Sequence, residues 1–228
     1  MHPLETDKPL IVYMDFKSPY AYLAKDPTWQ LEDDFGISID WRPLTLNIPS
    51  FLGSAKVNET GKVVEANRTP RQWQGVRYAY MDAKRYARLK DILIYGPRKI
   101  WDSSLAGIGM LWAKRSGRDV LKGYMDIAYE RFWRRELDIE DEAVMASVVA
   151  EAGGDEKGYL AFLEGEGRRE HDDLQAQLHG SGVFGVPTYV IDGEVFFGRE
   201  HLPAVRWLLG GRQGPAPDVA YDRFEPLP

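Results

Sequence analysis

Apolar and polar positions follow two rhythms along this 228-residue chain, and the change of rhythm divides it. Leu10-Ile11-Val12-Tyr13 is a short apolar, β-favouring run, which predicts a strand over 10–15. A helix over 19–35 follows directly. Ser18 is a preferred N-cap, and Pro19 suits the first helical position, where its missing N–H costs nothing. Ile37, Ile39 and Trp41 alternate with other residues, so 37–42 reads as a second strand and the chain opens as β-α-β. Residues 47–70, rich in Gly, Pro, Asn and Ser, read as a long loop with short helical turns; loops of this length in a compact domain often serve as lids. Helical periodicity then runs over 71–90, 103–116, 118–133, 140–152 and 156–179, with a break at Gly153-Gly154. Two β-rich runs around Asp192-Gly193 predict a hairpin over 188–198, with Pro187 at its entry, and a helix closes the pattern over 200–210. Gly214-Pro215-Ala216-Pro217 begins an aperiodic arm, and no internal repeat is evident.

The junction at Ser18 carries chemistry as well as structure. Free backbone N–H groups and the positive end of the helix dipole converge there, beside a hydroxyl, and this suits an anion such as a thiolate. Three segments add to it: D-F-x-S-P-Y-x-Y-L-A at Asp15 to Ala24, G-V-F-G-V-P-T at Gly182 to Thr188, and F-F-G-R-E-H-L at Phe196 to Leu202. Over most of residues 10–210 the chain resembles the DsbA-like branch of the thioredoxin superfamily. Within it, the chain is most similar to 2-hydroxychromene-2-carboxylate isomerases and kappa-class glutathione transferases. Asn67-Arg68 before a helix is a further, weaker match.

That resemblance implies an α/β fold, a thioredoxin-like core with a large all-helical insertion. The core would comprise 1–47 and 180–212, the insertion 48–179 and a Pro-rich tail 213–228, with the active site between core and insertion. It implies glutathione as cofactor, with the Ser18 hydroxyl donating to its sulfur. The isomer of the Val186-Pro187 bond is not visible in the sequence and composition alone favours trans, whereas the resemblance implies a cis-proline loop in which the Val186 backbone pairs with glutathione. Arg199 and Glu200 would hold the γ-glutamyl group, where related chains more often carry Asn, Gln or Ser followed by Asp. Asn67 would orient substrate or glutathione, and Tyr20, Tyr86 and Trp101 would line an aromatic-substrate pocket with it. The expected activity is glutathione-dependent isomerisation of an aromatic or conjugated organic acid, by a cytoplasmic homodimer. A kappa-like transferase or peroxidase and a non-catalytic thiol- or peptide-binding protein are the alternatives.

Other chemistries lose ground on composition. The chain has no cysteine, so it cannot run a dithiol cycle, and any reacting sulfur must arrive with a cofactor. Its four histidines stand in no hydrolase context, no metal-ligand spacing occurs, and His171-Asp172-Asp173 reads as a solvated helical face. Gly107-Ile108-Gly109 lacks a preceding strand and reads as helix packing rather than a nucleotide loop. Asp82 and Arg85 read as a structural ion pair, and the aromatics of the insertion, Trp73, Tyr78, Trp112 and Trp133 among them, mostly as helix–helix core.

No apolar run approaches a membrane span, residues 1–9 hold no apolar signal core, and the net charge of −6 argues against a nucleic-acid partner. The charge is unevenly spread. Residues 56–101 hold eleven Lys and Arg against four Asp and Glu, and residues 102–175 hold ten against seventeen. A basic stretch folded over the site would attract the carboxylates of glutathione and of an acidic substrate.

Overall fold

Residues 10–14 are buried on both faces, and a strand with no solvent face belongs in the middle of a sheet. The computed structural model, which describes residues 2–218, has it there. In chain order the elements are β1 (Leu10–Met14), α1 (Pro19–Phe35), β2 (Ile39–Pro43), α2 (Ile48–Leu52), β3 (Ala55–Val57), β4 (Val63–Ala66) and α3 (Pro70–Arg88). They continue with α4 (Ser104–Arg115), α5 (Arg118–Arg134), α6 (Glu142–Glu151), α7 (Glu156–Glu164), α8 (Glu166–Leu178), β5 (Thr188–Ile191), β6 (Glu194–Phe197), a 3-10 turn at Arg199–His201 and α9 (Leu202–Leu209). The main sheet has the order β2-β1-β5-β6. β1 runs parallel to β2, with Val12 opposite Trp41, and antiparallel to β5, with Tyr13 opposite Thr188. The tail beyond residue 213 carries no helix or strand through Asp218, and its remainder lies outside the described residues.

Local signals set the joints of this core. Ser18 caps α1 by accepting the Ala21 N–H at 3.2 Å, and Gly36 ends the helix in the left-handed region at φ 61°. At the β5–β6 turn Asp192 and Gly193 both take positive φ, as a two-residue primed turn requires. Glu32 locks α1 to β2 and α5. Its carboxylate accepts from Ile39 N at 2.9 Å, Trp41 Nε1 at 3.3 Å and Arg118 Nε at 2.6 Å, while the rings of Trp29 and Trp41 lie 4.4 Å apart.

The insertion is helical but not wholly so. Within the stretch expected as a loop, β3 and β4 pair as an antiparallel hairpin. Asn58 organises its turn by accepting the N–H groups of Thr60 and Lys62, and Val57, Val63 and Val64 supply β-branched flanks. All four β4 residues are exposed, so no buried alternation marked the strand. The helix expected over 156–179 divides at Gly165 into α7 and α8, where Gly167 lies so close to the Phe162 ring that a Cβ would collide with it. Among the described residues no helix is long and apolar enough to cross a membrane.

Gly107 and Gly109 serve close packing of α4. A Cβ on Gly109 would collide with Oη of Tyr124, a buried hydroxyl that donates to Ala106 O at 2.8 Å. His171 departs from the solvated face expected of it. It is 3% exposed, with Nε2 2.9 Å from Thr45 Oγ1 and Nδ1 2.8 Å from Asp172 Oδ1, because α8 turns this residue onto the segment after β2 while Asp172 stays outside.

Two outcomes are expected. Gly109→Ala forces Tyr124 out of place and costs about 1–3 kcal/mol, read as a lower urea midpoint; an unchanged midpoint would contradict the packing role. Burial pushes the His171 pKa below its ordinary 6.5, the pull of Asp172 and Asp102 upward being the smaller effect and Arg168 adding to the depression. The unfolded chain therefore binds this proton more readily. The contribution of His171 is complete above about pH 6.5 and is lost as pH falls through the folded pKa. Urea titrations between pH 7.5 and 5 should lose stability more steeply in the wild type than in His171→Asn.

Candidate active site

The strand-to-helix turn at residues 15–18 is built around a buried carboxylate. Asp15 accepts the Lys17 N–H at 3.0 Å and the Leu46 N–H at 2.8 Å, and its own carbonyl accepts the Ser18 N–H at 3.0 Å. Lys17 folds back over it, its ammonium 3.7 Å from the carboxylate and donating to Leu46 O at 2.7 Å, with the two side chains 7% and 0% exposed. Ser18 is thereby held at the N-terminus of α1, its hydroxyl 3.4 Å from the Val186 carbonyl, which it meets only as a long hydrogen bond. The Val186-Pro187 bond is cis. Val186 is 5% exposed, and among the described residues its N–H has no partner within the protein.

Ser18 and Val186 open into a cavity of about 970 Å3 between the sheet core and the insertion. Its far wall is a single stripe of α3: Trp73, Val76, Arg77, Tyr80, Met81 and Lys84, spaced as one helical face. Such a stripe ordinarily packs on a core. Here the packing falls to Ala83 and Ala87, the only buried residues of α3 among those described, and the larger side chains are left to the cavity. Trp101 and Phe132 close one side, and Phe51, Phe184 and Phe197, each at least 42% exposed, stand at the rim.

Six cationic residues line the cavity, Lys17, Arg68, Arg77, Lys84, Arg98 and Lys99, and no Asp or Glu among the described residues does. Arg68 lies 5.0 Å over the Trp73 ring, with burial lowering its pKa, and Lys99 lies 4.2 Å over Trp101 while pairing with Glu140. Two phenols stay protonated beside them. Burial, followed by the hydrogen bond to Asp82 Oδ2 at 3.1 Å, pushes Tyr20 up to about 12. Burial does the same for Tyr80, whose hydroxyl has no partner within the protein among the described residues. Asp82 also binds Arg85 at 3.0 Å, as the spacing on the helix suggested.

Of the residues singled out from sequence, Ser18, Val186, Tyr20 and Trp101 line the cavity, whereas Pro187, next in the chain to Val186, does not. Asn67 does not. It turns to the α2–β3 joint, where its Oδ1 accepts from Ser54 N at 2.6 Å, and its neighbour Arg68 faces the cavity instead. Arg199 stacks on the Tyr86 ring at 3.8 Å, and the Glu200 carboxylate curls over Gly198. Neither they nor Tyr86 line the cavity. Tyr78, expected mostly as helix–helix core, is 59% exposed, whereas Trp133 is fully buried. Lys17 was missed, and the cations of α3 were anticipated only as part of the basic stretch 56–101, not as individual residues. An Asp two residues before a Lys that adjoins a capping Ser, and basic residues interleaved in the aromatic stripe of α3, were the signals available.

The profile of DSBA-like thioredoxin domains matches residues 9–210, and the chain belongs to that family. It is 26% identical over 198 residues to the 2-hydroxychromene-2-carboxylate isomerase of Sphingobium xenophagum, covering 86% of this chain and 94% of that protein. Identity to the isomerase of the same name from Pseudomonas putida is 26% over 201 residues, covering 87% and 92%. A solved 2-hydroxychromene-2-carboxylate isomerase superposes with a TM-score of 0.67 at 22% identity, covering 89% of this chain and 95% of that one.

The Lys17–Asp15 pair is a testable prop of the turn. Lys17→Met leaves the Asp15 carboxylate buried without its cation and should cost about 3 kcal/mol of stability in urea unfolding. A loss under about 0.5 kcal/mol, the range of neutral surface changes, would contradict that role.

Proposed function

We propose that this chain is a glutathione-dependent isomerase of the 2-hydroxychromene-2-carboxylate type, acting on an aromatic or conjugated organic acid, with Ser18 activating the glutathione thiol. The observation that carries the reading is the juxtaposition of Ser18, at the start of α1, with buried Val186, whose N–H has no partner among the described residues, both lining a cationic cavity. The likeness to isomerases over most of the chain supports it.

The residues present fit glutathione. An extended peptide can add itself to a free backbone N–H as a further strand would, and Val186 offers such an edge beside Ser18. When bound, glutathione supplies a thiol that adds reversibly to a conjugated carbon and is recovered. The rest falls to the chain's own side chains. At 3.4 Å the Ser18 hydroxyl gives up little by leaving the Val186 carbonyl, and it is free to donate to an anionic sulfur. That donation and the helix N-terminus both favour the thiolate, lowering a thiol pKa from about 8.5. Tyr80, protonated at neutral pH and with no hydroxyl partner among the described residues, donates to an enolate or phenolate oxygen of the substrate. Arg68 and the cations of α3 receive its carboxylate. Arg199 and Glu200 reach the γ-glutamyl end only by leaving the Tyr86 ring and Gly198.

Ser18→Ala should lower turnover by roughly 10- to 100-fold, or about 1.4–2.7 kcal/mol of barrier, and raise the pKa of bound glutathione, followed by thiolate absorbance near 240 nm. Stability should change only by the cap, about 1 kcal/mol. Unaltered turnover and thiol pKa would remove Ser18 from the chemistry. Consumption of glutathione in step with product would identify a transferase instead.

A further inference from the structure

The cations of the cavity wall outnumber a single substrate carboxylate, and those of α3 stand on the wall opposite Ser18 rather than at the thiol site. Lys17 is committed to Asp15 and Lys99 to Glu140, while Arg68 reaches Gly53 O and the Trp73 ring. Arg77, Lys84 and Arg98 have no carboxylate partner among the described residues, although each lines the cavity. Like charges gathered on one concave surface repel each other, and among the described residues no carboxylate lines the cavity to offset that repulsion. Arg77 and Lys84 share one face of α3 seven residues apart, about 10.5 Å along the axis at 1.5 Å per residue. Tyr80 and Met81 lie between them on that face. The wall thus presents a cation, an apolar plate and a second cation, with Arg98 contributed by the segment before α4.

We propose that this wall is a binding site for a dianion, and that the substrate is an aromatic or conjugated dicarboxylic acid. Its flat body lies over Tyr80 and Met81, and its two acid groups meet the Arg77 and Lys84 ends. The inference deepens the function proposed above, since the site is the second-substrate site of the same cavity. Recognition at this wall does not involve the thiol. It is therefore tested apart from the chemistry at Ser18.

The experiment is calorimetric titration of the full chain at pH 7.5 with naphthalene-2-carboxylate and naphthalene-2,6-dicarboxylate, with and without glutathione. The dicarboxylate should bind about tenfold more tightly than the monocarboxylate, the increment of one further charged hydrogen-bonded contact. In the double variant Arg77→Gln/Lys84→Gln this advantage should shrink to twofold or less, and added salt should reduce it in the wild type. Arg77 is exposed and Lys84 half-buried, so the variant should keep the wild-type circular dichroism and urea midpoint. Arg98→Gln should reduce the advantage in part. Equal affinity for the two acids, an undiminished advantage in the folded double variant, or no binding of either acid at millimolar concentration would overturn the proposal. Ser18→Ala should retain the dianion preference. A protein that prefers the dianion yet never binds glutathione would sink the thiol mechanism alone, and one that activates glutathione with no dianion preference would sink this inference alone.

Discussion

Asp15 holds four parts of the chain in register through its buried carboxylate and its backbone carbonyl. It directly follows β1; its carboxylate accepts the N–H of Lys17 in the turn that leads into α1 and the N–H of Leu46 in the segment after β2, while its backbone carbonyl accepts the hydroxyl of Tyr129 from α5 at 3.1 Å. An ion taken out of water costs several kcal/mol unless its lone pairs are satisfied and a counter-charge lies close. Both conditions are met here, by two backbone donors and by Lys17. Because those donors belong to the walls of the cavity, the arrangement that makes the carboxylate tolerable also fixes where Ser18 stands. A displaced Leu46 or Lys17 would leave the carboxylate short of a partner, so the turn is kept in place by the cost of every alternative.

The opposite wall obeys a different logic. α3 buries two alanines, which anchors it by little apolar area, and it spends its large residues on the cavity. The hairpin β3–β4 beside it is exposed along all of β4. Segments with few buried apolar contacts open locally at low free-energy cost. Fixed donors on the core side and a loosely anchored aromatic, cationic surface on the insertion side divide the labour. In the function proposed above, the first would set the state of a reacting atom and the second would receive the body of a ligand.

Much of this was legible in the sequence, for reasons that differ by element. β1, α1 and the β5–β6 hairpin are fixed by local chemistry, namely a fully apolar run, a Ser-Pro start and an Asp-Gly turn, and each appears close to where it was expected. β3 and β4 escaped because an exposed two-stranded hairpin needs no apolar alternation, and the split between α7 and α8 escaped because it rests on the approach of Gly167 to Phe162, a tertiary contact. His171 misled by its acidic neighbours: Asp172 points outward, while the ring beside it fills a gap under Thr45. At the site, Ser18, Val186 and Tyr20 were legible through motif and spacing. The α3 wall was not, because an aromatic stripe at helical period reads as core, and only the fold reveals that a cavity lies where a packing partner was expected. Arg199, Glu200 and Asn67 were placed by likeness to relatives, and their side chains here engage the Tyr86 ring, Gly198 and Ser54.

A serine at the start of α1 in a chain without cysteine constrains what the cavity is for. A hydroxyl there is a hydrogen-bond donor and a poor nucleophile, since none of the histidines hydrogen-bonds to it. Donation acts over contact distance, whereas a full charge still contributes about 1 kcal/mol at 4 Å even in water and more inside a concave wall. The two effects therefore suit different tasks. In the function proposed above, hydrogen bonds from Ser18 would favour the ionised form of an anion that touches it, and the α3 cations without a carboxylate partner among the described residues would govern which anions arrive and how they lie. Were those cations clustered at Ser18, they would stabilise any anion there and discriminate little. Set across the cavity and separated by Tyr80 and Met81, they couple charge recognition to the length and flatness of the bound molecule, so that selectivity comes from their spacing.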